Sequence, residues 1–335
     1  MIRNISGFGQ YNLTDNAFST SDWQLNITSR HFKSYHDYKG TTDQKTPARD
    51  ESIIRSFTTD FTISKLFKNG WSMDLSIPFA ANSREADKEH GGPGTRRHTT
   101  HAFGLNDIRF TVYKWLLEPS VSQMGNIQLG LGVKLPTGDY KYQDYFYKND
   151  TTRLLAPVNA SIALGDGGTG VTVELNTFYF FSTRVSFYGN FYYLINPRDQ
   201  NGVSTETWRT APSIDIKTGA DVYSVPDVYS LRAGFDFNFN RIALSAGLRD
   251  EGVPFNDLFG GNDGLRRPGH NLSFEPGVIY KMKKASLYAY VPAIISRKIK
   301  QDPTAKKATQ ITGVYTMGAG GSGDYSVFLG VLFKL

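Results

Sequence analysis

Three histidines, His90, His98 and His101, stand in one stretch of the chain beside Arg96 and Arg97. Clustered imidazoles are a candidate metal site, but metal ligands need fixed geometry and a supporting shell of hydrogen bonds. This stretch is rich in Gly and Thr, so the expectation is a solvated loop that holds no metal. Cysteine is absent, which removes thiolate ligands, disulfides and cysteine nucleophiles. A serine nucleophile needs a base within hydrogen-bond reach. No His-x-Ser pair occurs, and His270-Asn-Leu-Ser273 has the wrong spacing. Gly261-Asn-Asp-Gly264 lacks most of the oxygen ligands of a calcium loop. The sequence therefore reads as a protein with no catalytic residues, no metal and no cofactor.

Other residues suit recognition better. Tyr140, Tyr142, Tyr145 and Tyr147 crowd the segment 139–147. They fit either a docking surface for a ligand or partner, or a loop folded over a cavity mouth. Arg266 and Arg267 fit either bidentate contacts to lipopolysaccharide phosphate or a pair of solvated loop charges. A third group lies in alternating segments and shares one parity. Its basic members are Arg30, Arg109, Lys134, Arg184, Arg232, Arg249 and Lys281, and its acidic members are Asp60, Asp74, Asp107, Glu174, Asp236 and Glu275. Seven against six is near balance. Such a set is either a selectivity lining or a salt-bridge network that holds a wall. Tyr113, Phe178, Phe180, Tyr188, Tyr192, Tyr288, Tyr290 and Phe328 have the same parity, as a track for apolar solutes or as filler. The formal net charge is +6, but its basic residues are scattered, so no nucleic-acid footprint is visible.

The elements that must position these groups are strands. In 71–81, Trp71, Met73, Leu75, Ile77, Phe79 and Ala81 share one face, and Ser72, Asp74, Ser76 and Ala80 the other. Segments 127–135 and 171–181 repeat the pattern. Alternation with period two is the signature of a strand with one apolar face. Twelve such strands are expected, near 22–37, 50–67, 70–83, 104–117, 126–138, 168–181, 184–196, 226–238, 241–250, 269–281, 285–299 and 324–335. No amphipathic helix stands out. Short turns, such as Lys68-Asn69-Gly70, alternate with long polar loops. Asn-Gly favours a tight hairpin because both positions accept positive φ.

Two architectures share this pattern, a soluble sandwich or barrel and an outer-membrane barrel. The apolar faces run five or six alternate residues, close to the roughly 9–11 residues that a tilted strand needs to cross a bilayer. Mean hydropathy is only −0.37, as expected when alternate residues face lipid. Short turns at one end and long loops at the other are the outer-membrane order. Aromatics add a second sign: Trp23, Phe67, Trp71, Phe181, Phe239, Tyr280 and Phe333 all fall at the short-turn ends, where a membrane-interface girdle belongs. Trp115 falls there too but has inward parity, which predicts either a bulge or a misaligned register at that point. Twelve strands lie between the filled eight-stranded barrel and the open porins, so a narrow or plugged lumen is expected.

The segment Gly130-Leu-Gly-Val-Lys-Leu-Pro-Thr-Gly-Asp139, with Gly104-Leu-Asn-Asp107 and Arg266-Arg267-Pro268-Gly269, resembles a bacterial outer-membrane family assigned to the MetA pathway of phenol degradation. The resemblance spans roughly residues 100–335. It implies a barrel and a transporter of aromatic compounds.

The reading is an all-β protein, a single 12-stranded antiparallel transmembrane β-barrel over 22–335. Residues 1–21 form a periplasmic or lumen-facing segment, with no signal peptide visible and a leader expected to have been removed. The expected environment is the bacterial outer membrane, with lipid and lipopolysaccharide around it. The expected function is a passive channel for small amphipathic or aromatic solutes; the alternative is a non-transporting barrel that docks another envelope protein.

Overall fold

A computed structural model describes residues 22–44, 52–87, 89–91, 97–119, 122 and 124–335. The segment 1–21 and Arg96 lie outside the described residues.

Alternating residues form twelve wall strands. They are β1 (Trp23–Ser34), β2 (Ile53–Leu66), β3 (Trp71–Ala86), β4 in two pieces (His98–Leu105 and Arg109–Trp115), β5 (Gly125–Lys134) and β6 (Gly170–Phe180). They continue as β7 (Val185–Ile195), β8 (Val228–Phe239), β9 (Ile242–Val253), β10 (Gly269–Lys281), β11 in two pieces (Ala285–Tyr290 and Ala293–Ile299) and β12 (Ser326–Lys334). Each strand pairs antiparallel with the next, as in β2–β3 and β9–β10. β12 then pairs with β1 from Gln24↔Lys334 to Phe32↔Ser326, which closes the sheet. Closure removes the unpaired edges that a lipid environment cannot satisfy.

The side chains invert the order of a soluble barrel. Phe61, Leu75, Leu131, Val173 and Leu244 are exposed on the outside. Inside, Arg232 and Arg249 are among the largest fully buried side chains, each 1% exposed. The seven expected girdle aromatics, Trp23, Phe67, Trp71, Phe181, Phe239, Tyr280 and Phe333, all face outward at the short-turn end. Lys65 and Lys114 lie over the Trp23 and Trp71 rings at 4.9 and 5.3 Å. Trp115 departs from the expected bulge. The β4–β5 register runs through it without a shift, and its ring is buried edge-on to Phe178 at 5.6 Å.

Two strands break. In β4 the break is at Asn106-Asp107-Ile108, where Asn106 N donates to Pro78 O across to β3 at 2.8 Å. In β11 it falls at Val291-Pro292, because proline cannot donate to the ladder.

The long loops are more ordered than the sequence implies. The hairpin Gln143–Tyr147 with Arg153–Pro157 stands above the wall. The segment after it turns inward, and Val158, Ile162 and Leu164 pack on Ile54, Ala80 and Ala102 inside the mouth. Two helices, α1 (Ser213–Thr218) and α2 (Pro303–Thr312), correct the expectation of none. The signal for α2 was present: Asp302 caps it by accepting from Ala305 N at 2.9 Å, with Pro303 in the first turn.

The closing seam is braced from inside. The Tyr288 hydroxyl on β11 reaches across β12 to Asn26 on β1, donating to its Oδ1 at 2.8 Å, and also meets the Thr28 hydroxyl. Gly330 makes the passage possible, since a Cβ on it would run into the Tyr288 ring.

Candidate solute site in the barrel lumen

The inward polar faces build three tiers. Nearest the short turns is a line of amides. Asn176 Nδ2 donates to Gln128 Oε1 at 3.1 Å, and Asn190 Nδ2 donates to Asn176 Oδ1 at 2.9 Å. Arg232 Nη1 continues the line to Asn190 Oδ1 at 2.9 Å.

Charges occupy the middle tier. Arg232 Nε and Nη2 both lie 2.7 Å from Glu275 Oε1. Arg249 Nε donates to Glu275 Oε2, and Arg249 Nη1 lies 2.8 Å from Glu251 Oε1. Arg30 Nη2 is 3.4 Å from the same carboxylate, with its guanidinium 5.3 Å from the Phe328 ring centre. Across the lumen, Arg109 Nη1 lies 3.7 Å from Glu174 Oε1 and its guanidinium lies over the Tyr192 ring at 5.2 Å. The Tyr113 hydroxyl donates to Glu174 Oε2 at 2.8 Å. Gly130 allows this, because a Cβ there would meet the Tyr113 ring at 2.5 Å. Asp60 and Asp74 are buried on β2 and β3.

The outer tier joins two segments that are distant in sequence. Gly138 N donates to Asp107 Oδ1 at 3.0 Å, and Thr137 Oγ1 donates to Asn106 O at 2.9 Å. Lys134 Nζ sits between Asp107 and Asp166, at 3.2 and 2.5 Å. The break in β4 and the turn after β5 are therefore one interlocked unit. Gly138 has no space for a side chain, since a Cβ would strike the Leu164 carbonyl.

Above this unit lies a cavity of about 220 Å³ between the wall and the inward-turned loop. Arg109 and Tyr192 line it, as do Arg84, Lys134 and Arg266. Ile54, Leu164, Leu194, Val228 and Val253 supply an apolar side.

Some expected residues lie elsewhere. Arg184 is exposed in the turn before β7, outside the ladder, so it does not line the lumen. Asp236 and Lys281 are only half-buried; they lie toward the short-turn end, where Lys281 Nζ donates to Asn238 Oδ1 at 3.3 Å. Arg266 is not a solvated loop charge: it is buried, with Nη1 2.7 Å from Asp257 Oδ1. Burial pushes the Asp257 carboxyl up from its ordinary range despite that partner. Arg267 also turns inward, donating from Nε to Ala319 O at 2.7 Å. Neither arginine presents a free fork to lipopolysaccharide.

The tyrosines of 139–147 divide. Tyr142 packs on the mouth cluster. Arg198 lies over the Tyr140 ring at 5.6 Å, and Arg153 over the exposed Tyr145 at 4.2 Å. Tyr147 stacks on His98 at 4.4 Å, and His90 stacks on Phe146 at 5.3 Å. His90 Nδ1 accepts from Tyr147 N at 3.1 Å. Burial pushes the His90 pKa down to about 4. His90 and His98 are thus parts of an aromatic stack, not solvated loop residues, while His101 is exposed. No metal-binding group occurs among the described residues.

Sequence reasoning missed Glu251, Asp166 and Asp257. Glu251 shares the parity of Arg249, and only the early end assigned to that strand hid it. The other two sit in loops, where no period marks an inward residue.

The closed sheet, its apolar exterior and its polar interior decide the setting. The protein is a bacterial outer-membrane β-barrel. Its fold is similar to that of an outer-membrane channel from Pseudomonas putida F1, at 11% identity and a TM-score of 0.59, covering 93% of this chain and 95% of that one. A Pseudomonas aeruginosa FadL homologue gives 10% identity, 95% and 91% coverage and a TM-score of 0.46. The P. putida toluene transporter TodX gives 8%, 95% and 91%, and 0.44. The last two likenesses are too weak to carry argument. No family model matches the chain, and no curated protein matches it.

Proposed function

We propose that this barrel is a passive channel for small amphipathic or aromatic solutes. The observation that carries the reading is the outer cavity, which sets buried charges against an apolar wall inside an outer-membrane barrel. A solute with one polar end and one apolar end meets both needs there. Arg109, Glu174 and Tyr192 form the constriction below it, and the middle network holds the wall in shape. The seven outward aromatics act as the periplasmic girdle. The resemblance of 130–139 to the family of the MetA pathway accords with this reading, as does the naming of the P. putida barrel as a channel.

Single-channel recording in a planar bilayer tests it. A small, stable conductance is expected. Arg109→Ala should raise it and shift it toward cations, because Glu174 then faces the passage alone. A folded barrel that passes no current and takes no solute into liposomes would overturn the reading. The second reading, a docking barrel, draws on the exposed apolar residues of the outer loops: Ile216, Phe259, Val314 and Tyr315. It predicts a silent barrel that co-purifies with an envelope protein.

A further inference from the structure

The two ends of the barrel carry charge differently. At the outer end cations and acids are mixed, and Arg55, Arg209 and Lys307 pair with Glu85, Glu206 and Asp263. At the short-turn end, the periplasmic end of an outer-membrane barrel, Lys68, Arg184, Arg241, Lys283 and Lys284 are all exposed. None of the five forms an ion pair among the described residues. Acids are scarce at that end. Asp22 pairs with Lys65 at 3.3 Å, Glu118 stands exposed in the turn after β4, and Asp236 is half-buried. A carboxylate on Leu335 would offset one further charge.

These cations follow the aromatic girdle. Lys68 comes directly after Phe67, Arg184 three positions after Phe181 and Arg241 two after Phe239. Lys283 and Lys284 come three and four after Tyr280. Each of these turns therefore carries its charge just past the aromatic that marks the membrane interface. Backbone hydrogen bonds set the turns side by side. Arg184 O accepts from Asn238 N at 2.7 Å, Arg241 O from Lys281 N at 2.6 Å, and Lys284 O from Lys334 N at 2.8 Å. Two further lysines belong to the lipid-facing side of the wall. Lys65 is level with Trp23 in the ladder and Lys114 with Trp71, and each ammonium lies over that outward indole. A lysine so placed lays its stem on apolar surface and keeps its ammonium among head groups.

Clustered cations at head-group depth attract anionic lipid. A zwitterionic head group brings a cation of its own and gains less. We propose that the periplasmic rim is a binding surface for anionic phospholipid of the inner leaflet. Its head-group phosphates are held by Lys68 and the Lys114–Trp71 pair on one side, and by Arg184, Arg241, Lys283 and Lys284 on the other. The surface does not depend on the channel reading and holds equally for a silent barrel.

The test uses the full chain in phosphatidylcholine vesicles and electron spin resonance of lipid at the protein surface. Spin-labelled phosphatidylglycerol is compared with phosphatidylcholine carrying the same label. Phosphatidylglycerol should be favoured at least about threefold in about 0.01 M salt, and the preference should shrink in about 1 M salt. Equal association of the two lipids, or a preference that salt leaves unchanged, overturns the proposal. Changing Lys68, Arg184, Arg241, Lys283 and Lys284 together to Gln should remove most of the preference. Changing the exposed outer cations Lys39, Lys148, Lys217, Lys298 and Lys300 to Gln should leave it. The reverse pattern places the lipid at the outer loops and overturns the proposal. The two-lipid comparison on the unaltered protein decides the matter even if a variant does not fold. Polyglutamate, added to the barrel folded in detergent, probes an acidic protein as partner. If it binds while phosphatidylglycerol shows no preference, the rim belongs to a protein and the proposal fails.

Discussion

The middle network and the outer cavity are built from the same side chains, arginine and carboxylate, under similar burial. Around Glu275 both carboxylate oxygens are taken, one by Arg232 and one by Arg249. Around the cavity, Arg266 leaves one edge unused, and the Asn106 Oδ1 and Ser161 Oγ atoms have no partner. The difference teaches what each region is for. A saturated network resists change and holds a wall; an unsaturated one carries the cost of its unmade hydrogen bonds.

The largest test removes the centre of the saturated region. Glu275→Gln leaves Arg232 and Arg249 facing a neutral amide, and breaking a buried pair costs about 3–5 kcal/mol. The urea midpoint of the folded barrel should fall accordingly. A fall below about 1 kcal/mol would mean that water already supports these arginines, and the contrast with the cavity would collapse. Gly138→Ala should come next, at about 1–3 kcal/mol for overpacking. Its Cβ pushes on Leu164, so the same variant should also alter solute binding in the cavity, which Glu275→Gln need not do.

A pH experiment sharpens the comparison without mutation. His90 is held neutral, with its pKa pushed down to about 4 from an ordinary value of 6.5. The unfolded loop therefore takes up a proton before the folded loop does, and stability from this group is present above pH 6.5 and lost as pH falls toward 4. Protonation at Nδ1 also removes the acceptor for Tyr147 N. Hydrogen exchange should show the 143–157 hairpin loosening over that window while the wall amides stay protected. Equal protection of both at pH 4.5 would refute the claim. The smallest effect belongs to Ser161→Ala. Its hydroxyl bonds to nothing in the structure, so the midpoint should move by no more than about 0.5 kcal/mol.

How much of this was legible in the sequence follows from periodicity. Along the wall, parity alone assigns an inward side chain, so Arg30, Arg109, Glu174, Arg232, Arg249 and Glu275 could be named in advance. Parity cannot say who pairs with whom. That depends on register across strands such as β8, β9 and β10, which join Arg232, Arg249 and Glu275. It also fails at strand ends, where Arg184 turned outward and Glu251 was lost to a loop. Outer loops carry no period at all. There the inward turn of Val158–Leu164 and the burial of Arg266 come from tertiary packing, and a double-arginine motif reads on paper as solvated charge. The segments 104–107 and 130–139 were visible as motifs, but their meeting at Asp107 and Gly138 was not.

The Tyr288 brace bears on how such a chain is made. Its two hydrogen bonds join residues 260 and 262 positions apart. No local hairpin can form them, and neither can a nascent chain that lacks its last strands. Contacts of such separation form late, after the intervening turns have been ordered. The seam is therefore secured only when first and last strands have met, and the bolt slides home from the inside. A barrel caught before that moment has an open sheet edge, which lipid cannot satisfy.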